Sequence, residues 1–148
     1  MCRWQSALFP GGTSGIGRIK VGRYRSFDDP MQIVSGRPGH EVVHYRAPDS
    51  NVVPSEMARF LGWFNGPSKD DGIVRAAIAH LWFETIHPFE DGNGRLGRAI
   101  LDMAIARDTG SPIRLYSMAR QLQENRAAYY DALNAAQKGD GDITAWLH

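Results

Sequence analysis

Twelve consecutive residues, His87-Pro88-Phe89-Glu90-Asp91-Gly92-Asn93-Gly94-Arg95-Leu96-Gly97-Arg98, bring together the groups needed to handle a phosphate chain. His87 offers an imidazole whose near-neutral pKa suits it to take a proton from an attacking hydroxyl. Asp91 offers the carboxylate oxygen that Mg²⁺ accepts beside phosphates and waters. Gly92 and Gly94 flank Asn93 and let the backbone approach a ligand closely or turn left-handed. Asn93-Gly94 opens an apolar-periodic segment, and the first N–H groups of a helix lack partners inside it and attract anions. Arg95 and Arg98 stand three apart on that helix, near its positive end, where only a bound anion relieves their repulsion. Together these groups describe transfer of a phosphorus group from a Mg–nucleotide to a hydroxyl. Each part alone has a plain structural reading: a histidine at a helix end, a Gly-Asn-Gly turn, an Asp-Gly turn pair. Their convergence in one loop favours the chemistry.

The loop must be held by the elements around it. Residues 72–86 carry Ile73, Ala76, Ala77, Leu81 and Ile86 at helical spacing, and the segment is apolar nearly all round, so it reads as a central helix. Pro88 ends it near His87. Leu96, Ile100, Met103 and Ile105 carry a second helix from the glycines to about Arg107, before Thr109-Gly110-Ser111-Pro112. Upstream, Pro54-Ser55-Glu56 opens a helix with Met57, Phe60, Leu61 and Phe64 on its apolar side, closed by Asn65-Gly66-Pro67-Ser68. A last long helix is predicted over 117–137, with Leu122, Tyr129, Tyr130 and Leu133 as its apolar marks. Met31-Gln32-Ile33-Val34 and Glu41-Val42-Val43-His44-Tyr45 favour strands on either side of a Gly/Pro-rich link, which predicts one β-hairpin. Residues 1–30 are rich in Gly, Arg and Ser and read as irregular with short extended pieces. The expected fold class is therefore all-α with one hairpin: a single domain over 31–148 behind an irregular segment.

Bulk properties narrow the function. The chain has 148 residues, enough for one domain with a real core, and a formal net charge of +1, which gives no global field toward nucleic acid or a membrane surface. Fourteen arginines stand against three lysines, a bias that suits bidentate phosphate contacts, although genomic codon bias accounts for most of it. The one cysteine, Cys2, excludes an internal disulfide framework. No run has membrane-spanning length and no signal-peptide stretch opens the chain, so the expected setting is reducing and cytoplasmic.

The run from His87 to Arg98 matches the Fic motif, His-Pro-Phe-x-(Asp/Glu)-Gly-Asn-Gly-Arg-x-x-Arg, at every specified position. Ala79-His80-Leu81-Trp82-Phe83 before it, and Tyr129-Tyr130-Asp131-Ala132-Leu133 with Lys138-Gly139-Asp140 after it, resemble the flanking helices of that family. The resemblance implies the helical Fic fold with a hairpin flap. It also implies transfer of AMP from ATP to a Ser, Thr or Tyr hydroxyl of a target protein. His87 would be the general base and Asp91 the Mg²⁺ ligand. Gly92, Asn93 and Gly94 would form the anion hole, Arg95 would hold the phosphate chain, and Arg98 would bind the γ-phosphate. Tyr129, Tyr130 and Gln137 match positions that line the family's adenine pocket, though two tyrosines on a late amphipathic helix are more often core. Residues 31–46 resemble the family's flap, whose edge docks a target segment by strand addition; here Glu41, Val42, Val43 and His44 would supply that edge. His80, two helical turns before His87, reads as a packed structural residue.

One departure bears on regulation. Many Fic proteins carry an inhibitory helix with (Ser/Thr)-x-x-x-Glu-(Gly/Asn), whose glutamate pairs with the last motif arginine. None of the five glutamates fits; Glu124-Asn125 comes nearest, with Arg120 where Ser or Thr is required. The expectations are an unrestrained domain, a lost upstream inhibitory helix, or an inhibitory partner.

Three other readings attach to this sequence. Gly11-Gly12-Thr13-Ser14-Gly15-Ile16-Gly17 resembles the nucleotide-binding turn of short-chain dehydrogenases, but Cys2 to Phe9 is a poor strand and no tyrosine has a lysine four residues later, so it reads as a flexible glycine loop. The same scaffold supports transfer of UMP, removal of AMP, or phosphate transfer as in Doc-like kinases, which carry lysine where Gly94 stands. A non-enzymatic binding module would show an eroded motif, and this one is intact.

Overall fold

The computed structural model describes residues 1–26, 31–35, 37, 40, 42–67, 69, 71–110, 118–139 and 141–147. Two antiparallel helices form its centre. The first, α3 (Gly72–Ile86), starts at Asp71, whose carboxylate accepts from the N–H groups of Ile73 at 2.9 Å and Val74 at 3.3 Å. It stops at His87, which adopts a left-handed conformation with φ 47° and ψ 60° because Pro88 cannot extend the helix. Six residues later α4 (Asn93–Thr109) begins and runs back along α3, and these two share the most extensive helix–helix interface. Both spans agree with the apolar periodicity.

A third helix, α2 (Val53–Asn65), buries Val53, Met57, Phe60 and Phe64 at helical spacing. Phe60 packs against Phe64 at 5.7 Å and Phe83 at 6.0 Å between ring centroids, and Phe60, Phe83, Phe89 and Ile100 are fully excluded from solvent. Each such side chain contributes about 1.5–3 kcal/mol of burial. Two arginines close the C-terminal end of α2. Arg75 donates to the carbonyls of Trp63, Phe64 and Gly66, and Arg107 to those of Phe64 and Asn65. These cations satisfy orphan carbonyls at the negative end of a helix, so they belong to the scaffold.

Beyond α4 come α5 (Met118–Glu124), α6 (Arg126–Lys138) and α7 (Thr144–Leu147). The expected single helix over 117–137 is therefore two. The break falls at Asn125, with φ −104° and ψ 34°, whose side-chain amide donates to the Gln121 carbonyl and competes with the helix. Trp146 of α7 donates to the Ala77 carbonyl at 2.9 Å and stacks on His80, which fastens the C-terminal turn to α3.

Among the described residues there are two small hairpins rather than one. The expected one is β3 (Gln32–Ser35) with β4 (Val42–Arg46), antiparallel, pairing Ile33 with Tyr45 and Val34 with Val43 across a bulge at Ile33/Val34. The other pairs β1 (Thr13–Ser14) with β2 (Gly17–Arg18) inside the glycine-rich loop, with Gly15 at φ 56° in its two-residue turn. The expectation of an irregular N-terminus also gives way. Residues 2–8 form α1 (Cys2–Leu8), a helix too short to stand alone, which the rest of the chain holds. Its Gln5 is fully buried, donates to the Asp91 carbonyl and accepts from the Gly22 N–H at 2.6 Å. Among the described residues no helix is long and apolar enough to cross a membrane.

Candidate active site

The loop between α3 and α4 is fixed from three sides. Arg25, 2% exposed, donates through Nε to the His87 carbonyl at 2.8 Å and through Nη2 to the carbonyls of Ile86 and Pro48. Its own N–H bonds the Pro88 carbonyl at 2.9 Å. Asn93 faces inward and forms a reciprocal pair with the backbone of Phe89, accepting at 3.0 Å and donating at 2.8 Å. Its side chain therefore locks the loop, while its backbone belongs to the opening turn of α4. Gly92 precedes that turn at φ 90°, and a β-carbon there would lie 2.9 Å from the Phe9 ring. Only glycine fits this position. The first bond within α4 runs from the Leu96 N–H to the Gly92 carbonyl at 3.0 Å, so the N–H groups of residues 93–95 open the helix without an acceptor inside it.

Against this turn lies a cavity of about 390 Å³, within the range of small-molecule sites. His87, Gly94 and Arg98 form one wall, and Tyr129, Tyr130 and Gln137 of α6 form the other. The arrangement places a histidine, an anion-binding helix start, a guanidinium and two aromatic rings around one space. Ile33 and Tyr45 of the β3–β4 hairpin close its edge, and the Tyr45 hydroxyl donates to the Thr85 carbonyl at 3.1 Å. Sequence reasoning missed Tyr45 and Arg126. It also missed Glu84, 4% exposed, whose signal was the one carboxylate on a mostly apolar helix.

Burial sets the protonation states. Desolvation holds the His87 imidazole down at about 4, with the Arg25 charge adding to the effect and the Glu84 backbone carbonyl and Asp91 opposing it. The ring is therefore neutral near pH 7, with a lone pair able to accept a proton. Desolvation pushes the Glu84 carboxyl up to about 7 against the pull of Arg98. Burial likewise raises the Tyr129 phenol and lowers the His80 imidazole. His80 is buried as the sequence suggested, with Nε2 at 3.0 Å from the Tyr129 hydroxyl.

Asp91 and Gly92 lie in the adjoining loop and Asn93 and Arg95 in the first turn of α4, and none of the four is on the cavity wall. Arg95 does not share its direction with Arg98: its guanidinium lies over the Phe9 ring at 4.4 Å and its Nη2 is 3.9 Å from Asp91 Oδ1. Asp91 is 41% exposed at its side chain and accepts from the Ser14 hydroxyl and the Gly92 N–H. Lys20 anchors Glu90 through its backbone N–H at 2.9 Å. The glycine-rich loop is thus a brace for the motif, not a nucleotide turn. Among the described residues no group of three or more His, Cys, Asp or Glu is placed to hold a metal. One accessible carboxylate suits a Mg²⁺ ion shared with phosphates and waters, not a cage built by protein alone. Of the proposed flap edge, Glu41 and the side chains of Val42 and His44 lie outside the described residues, and Val43 is 47% exposed.

Comparison with known proteins identifies the family. The model of the Fic/DOC family matches residues 1–105. The chain is 38% identical over 124 residues to protein adenylyltransferase fic-1 of Caenorhabditis elegans, covering 82% of this chain and 21% of that one. It is 39% identical over 90 residues to its counterpart in Caenorhabditis briggsae, covering 60% of this chain and 17% of that one. The crystal structure of a Fic family protein from Desulfovibrio desulfuricans superposes with a TM-score of 0.76 at 28% identity, covering 99% of this chain and 41% of that one. The chain thus spans about a fifth of the length of these curated relatives.

Proposed function

The chain belongs to the Fic/DOC family, and on that footing we propose that it is a protein adenylyltransferase that moves AMP from ATP to a Ser, Thr or Tyr hydroxyl of a target protein. The observation that carries the reading is that His87 and Arg98 face one cavity at the open N-terminal turn of α4. The neutral His87 ring accepts the hydroxyl proton while the oxygen attacks the α-phosphorus. The bond from that phosphorus to the β-phosphate oxygen breaks, and pyrophosphate leaves. The N–H groups of residues 93–95 and the Arg98 guanidinium neutralise the phosphate chain, and rigid positioning with preset charge supplies most of the acceleration. Asp91 would hold Mg²⁺, which supplies further charge neutralisation to the phosphates. Tyr129, Tyr130 and Gln137 offer the aromatic and amide wall for the adenine. The exposed β3–β4 hairpin suits an extended target segment added as a strand. A lone thiol and a nucleotide triphosphate donor fit a cytoplasmic setting.

The test is labelling. The protein is incubated with Mg²⁺ and ATP labelled on the α-phosphate, alone and with cell lysate, beside γ-labelled ATP and a His87→Ala control. Protein-bound label from the α-phosphate alone, lost in the variant, is the expected result. Label from the γ-phosphate makes the protein a kinase, and label retained by His87→Ala removes the assigned base.

A further inference from the structure

Two titratable residues, His80 and Glu84, stand about one turn apart on α3, and His87 follows at its C-terminal cap. Between the last two lies an incomplete contact. Glu84 Oε2 is 3.9 Å from His87 Nδ1, with the side chains 6% and 15% exposed. Neither His87 Nδ1 nor Glu84 Oε1 has a hydrogen-bond partner, although both are shielded from water. A buried carboxylate oxygen without a partner is costly, and two glycines across the helix interface make room for it. A β-carbon at Gly97 would lie 2.3 Å from Glu84 Oε1, so the absence of a side chain at 97 makes room for the carboxylate. A β-carbon at Gly94 would lie 4.0 Å from the same oxygen and 3.3 Å from Arg98 Nη1, so carboxylate and guanidinium converge on the start of α4.

We propose that Glu84 is the positioning residue for His87: its carboxylate accepts a hydrogen bond from the imidazole Nδ1–H, leaves Nε2 bare for the target hydroxyl, and stabilises the imidazolium formed on attack. This rests on the adenylyltransferase reading for the hydroxyl and on the geometry of α3 for the pair. The gap must close by about 1 Å to make the hydrogen bond, a rotamer adjustment for a four-bond side chain. As the target oxygen bonds the α-phosphorus and pyrophosphate departs, the hydroxyl proton passes to His87 Nε2, and the positive ring then faces a negative carboxylate. A neutral His87 held down by burial and by Arg25 is a weak base on its own; a carboxylate on Nδ1 corrects that at the moment of proton transfer. The charged and titratable groups around the pair are His80 on α3, Arg98 on α4, Tyr129 on α6, Arg25 on the N-terminal segment and Asp91 in the loop.

The test begins with the whole chain and needs no activity. Ring-nitrogen NMR of ¹⁵N-histidine-labelled protein at pH 8, with His87 assigned by its loss in His87→Ala, should show the proton on Nδ1. Glu84→Ala should shift the population toward the Nε2–H form. The Glu84 backbone carbonyl also acts on the His87 ring and survives that substitution, so an unchanged tautomer assigns the ring's orientation to the carbonyl and overturns the proposal, as does Nε2–H in the unsubstituted protein. Transfer kinetics follow. Glu84→Gln should lower kcat about 100-fold, with KM for ATP changed less than about threefold, and Glu84→Asp should recover part of the loss. The rise of kcat with pH through about 7, where the Glu84 carboxyl ionises, should flatten in Glu84→Gln. Equal kcat in both proteins overturns the proposal. If the unsubstituted protein transfers no AMP, the activity reading fails, while the tautomer still decides the pairing.

Discussion

The guanidinium of Arg25 donates at 2.8 Å to the carbonyl of His87, sixty-two residues away in sequence. That bond fixes the one described non-glycine residue with positive φ, at the position where the His87 side chain lines the cavity. A left-handed conformation at such a residue costs on the order of 1 kcal/mol and persists only when its surroundings hold it.

Replacing this clasp should therefore act on both stability and rate. Arg25→Met keeps the stem but leaves the carbonyls of Pro48, Ile86 and His87 without their donor. The expected loss is about 2–4 kcal/mol, read from the urea midpoint at constant slope. AMP transfer should fall at least about tenfold at temperatures where the variant is still folded. A variant with unchanged midpoint and rate would remove Arg25 from the positioning of His87.

Gly97 should tolerate no side chain. Its missing β-carbon would meet Glu84 Oε1 at 2.3 Å and the His80 ring at 3.0 Å, both buried. Gly97→Ala should destabilise the protein by about 1–3 kcal/mol despite alanine's better helix propensity. Thermal or urea unfolding checks the sign; a stabilised variant would show that α3 and α4 separate without penalty.

The pH dependence of stability should look flat until one partner is removed. His87 is held down from 6.5 to about 4, so between those values the unfolded chain binds a proton that the folded one does not, and stability falls as pH falls. Glu84 is held up from 4.5 to about 7, so there the folded chain binds the extra proton, and stability falls as pH rises. Each displacement is worth about 3 kcal/mol, and the two windows nearly coincide with opposite sign. Glu84→Gln should leave a protein that loses stability on acidification from pH 6.5 to 4. His87→Gln should leave one that loses stability from pH 4.5 to 7. Denaturant midpoints of the three proteins across pH 4–8 measure this; parallel profiles would contradict the assignments.

The two motif arginines should separate by role. Arg98 lines the cavity, whereas Arg95 lies over Phe9 at 4.4 Å. Arg98→Ala should weaken ATP binding by about 10–100-fold, the loss of one charge-assisted contact. Arg95→Ala should have a smaller effect on affinity. Calorimetric titration with ATP, at one salt concentration, ranks them; equal losses would mean that Arg95 swings into the site when nucleotide binds.

The sequence by itself determined the elements and the list of reactive groups. Apolar spacing gave α2, α3 and α4 within a residue or two, because amphipathic or fully apolar helices record their burial every three or four positions. Pro88 and the glycines at 92 and 94 marked the loop, and His87, Asp91 and Arg98 were named from their chemistry and their match to a motif. Tertiary structure alone decided which of these groups meet. Arg25 closes on His87, Gln5 and Ser14 on Asp91, and Tyr129 on His80, by bonds spanning dozens of residues that carry no local periodicity. It also turned Arg95 away from Arg98, pointed Asn93 into the loop, and made a helix of residues 2–8 that local propensity would not sustain. Glu84 shows the limit most plainly. The sequence marks one carboxylate on a mostly apolar helix, but the missing side chain at Gly97 and the approach of α4 decide that it is buried beside His87. Periodicity reports how far each residue is from water; it does not report which residue of another element it will face.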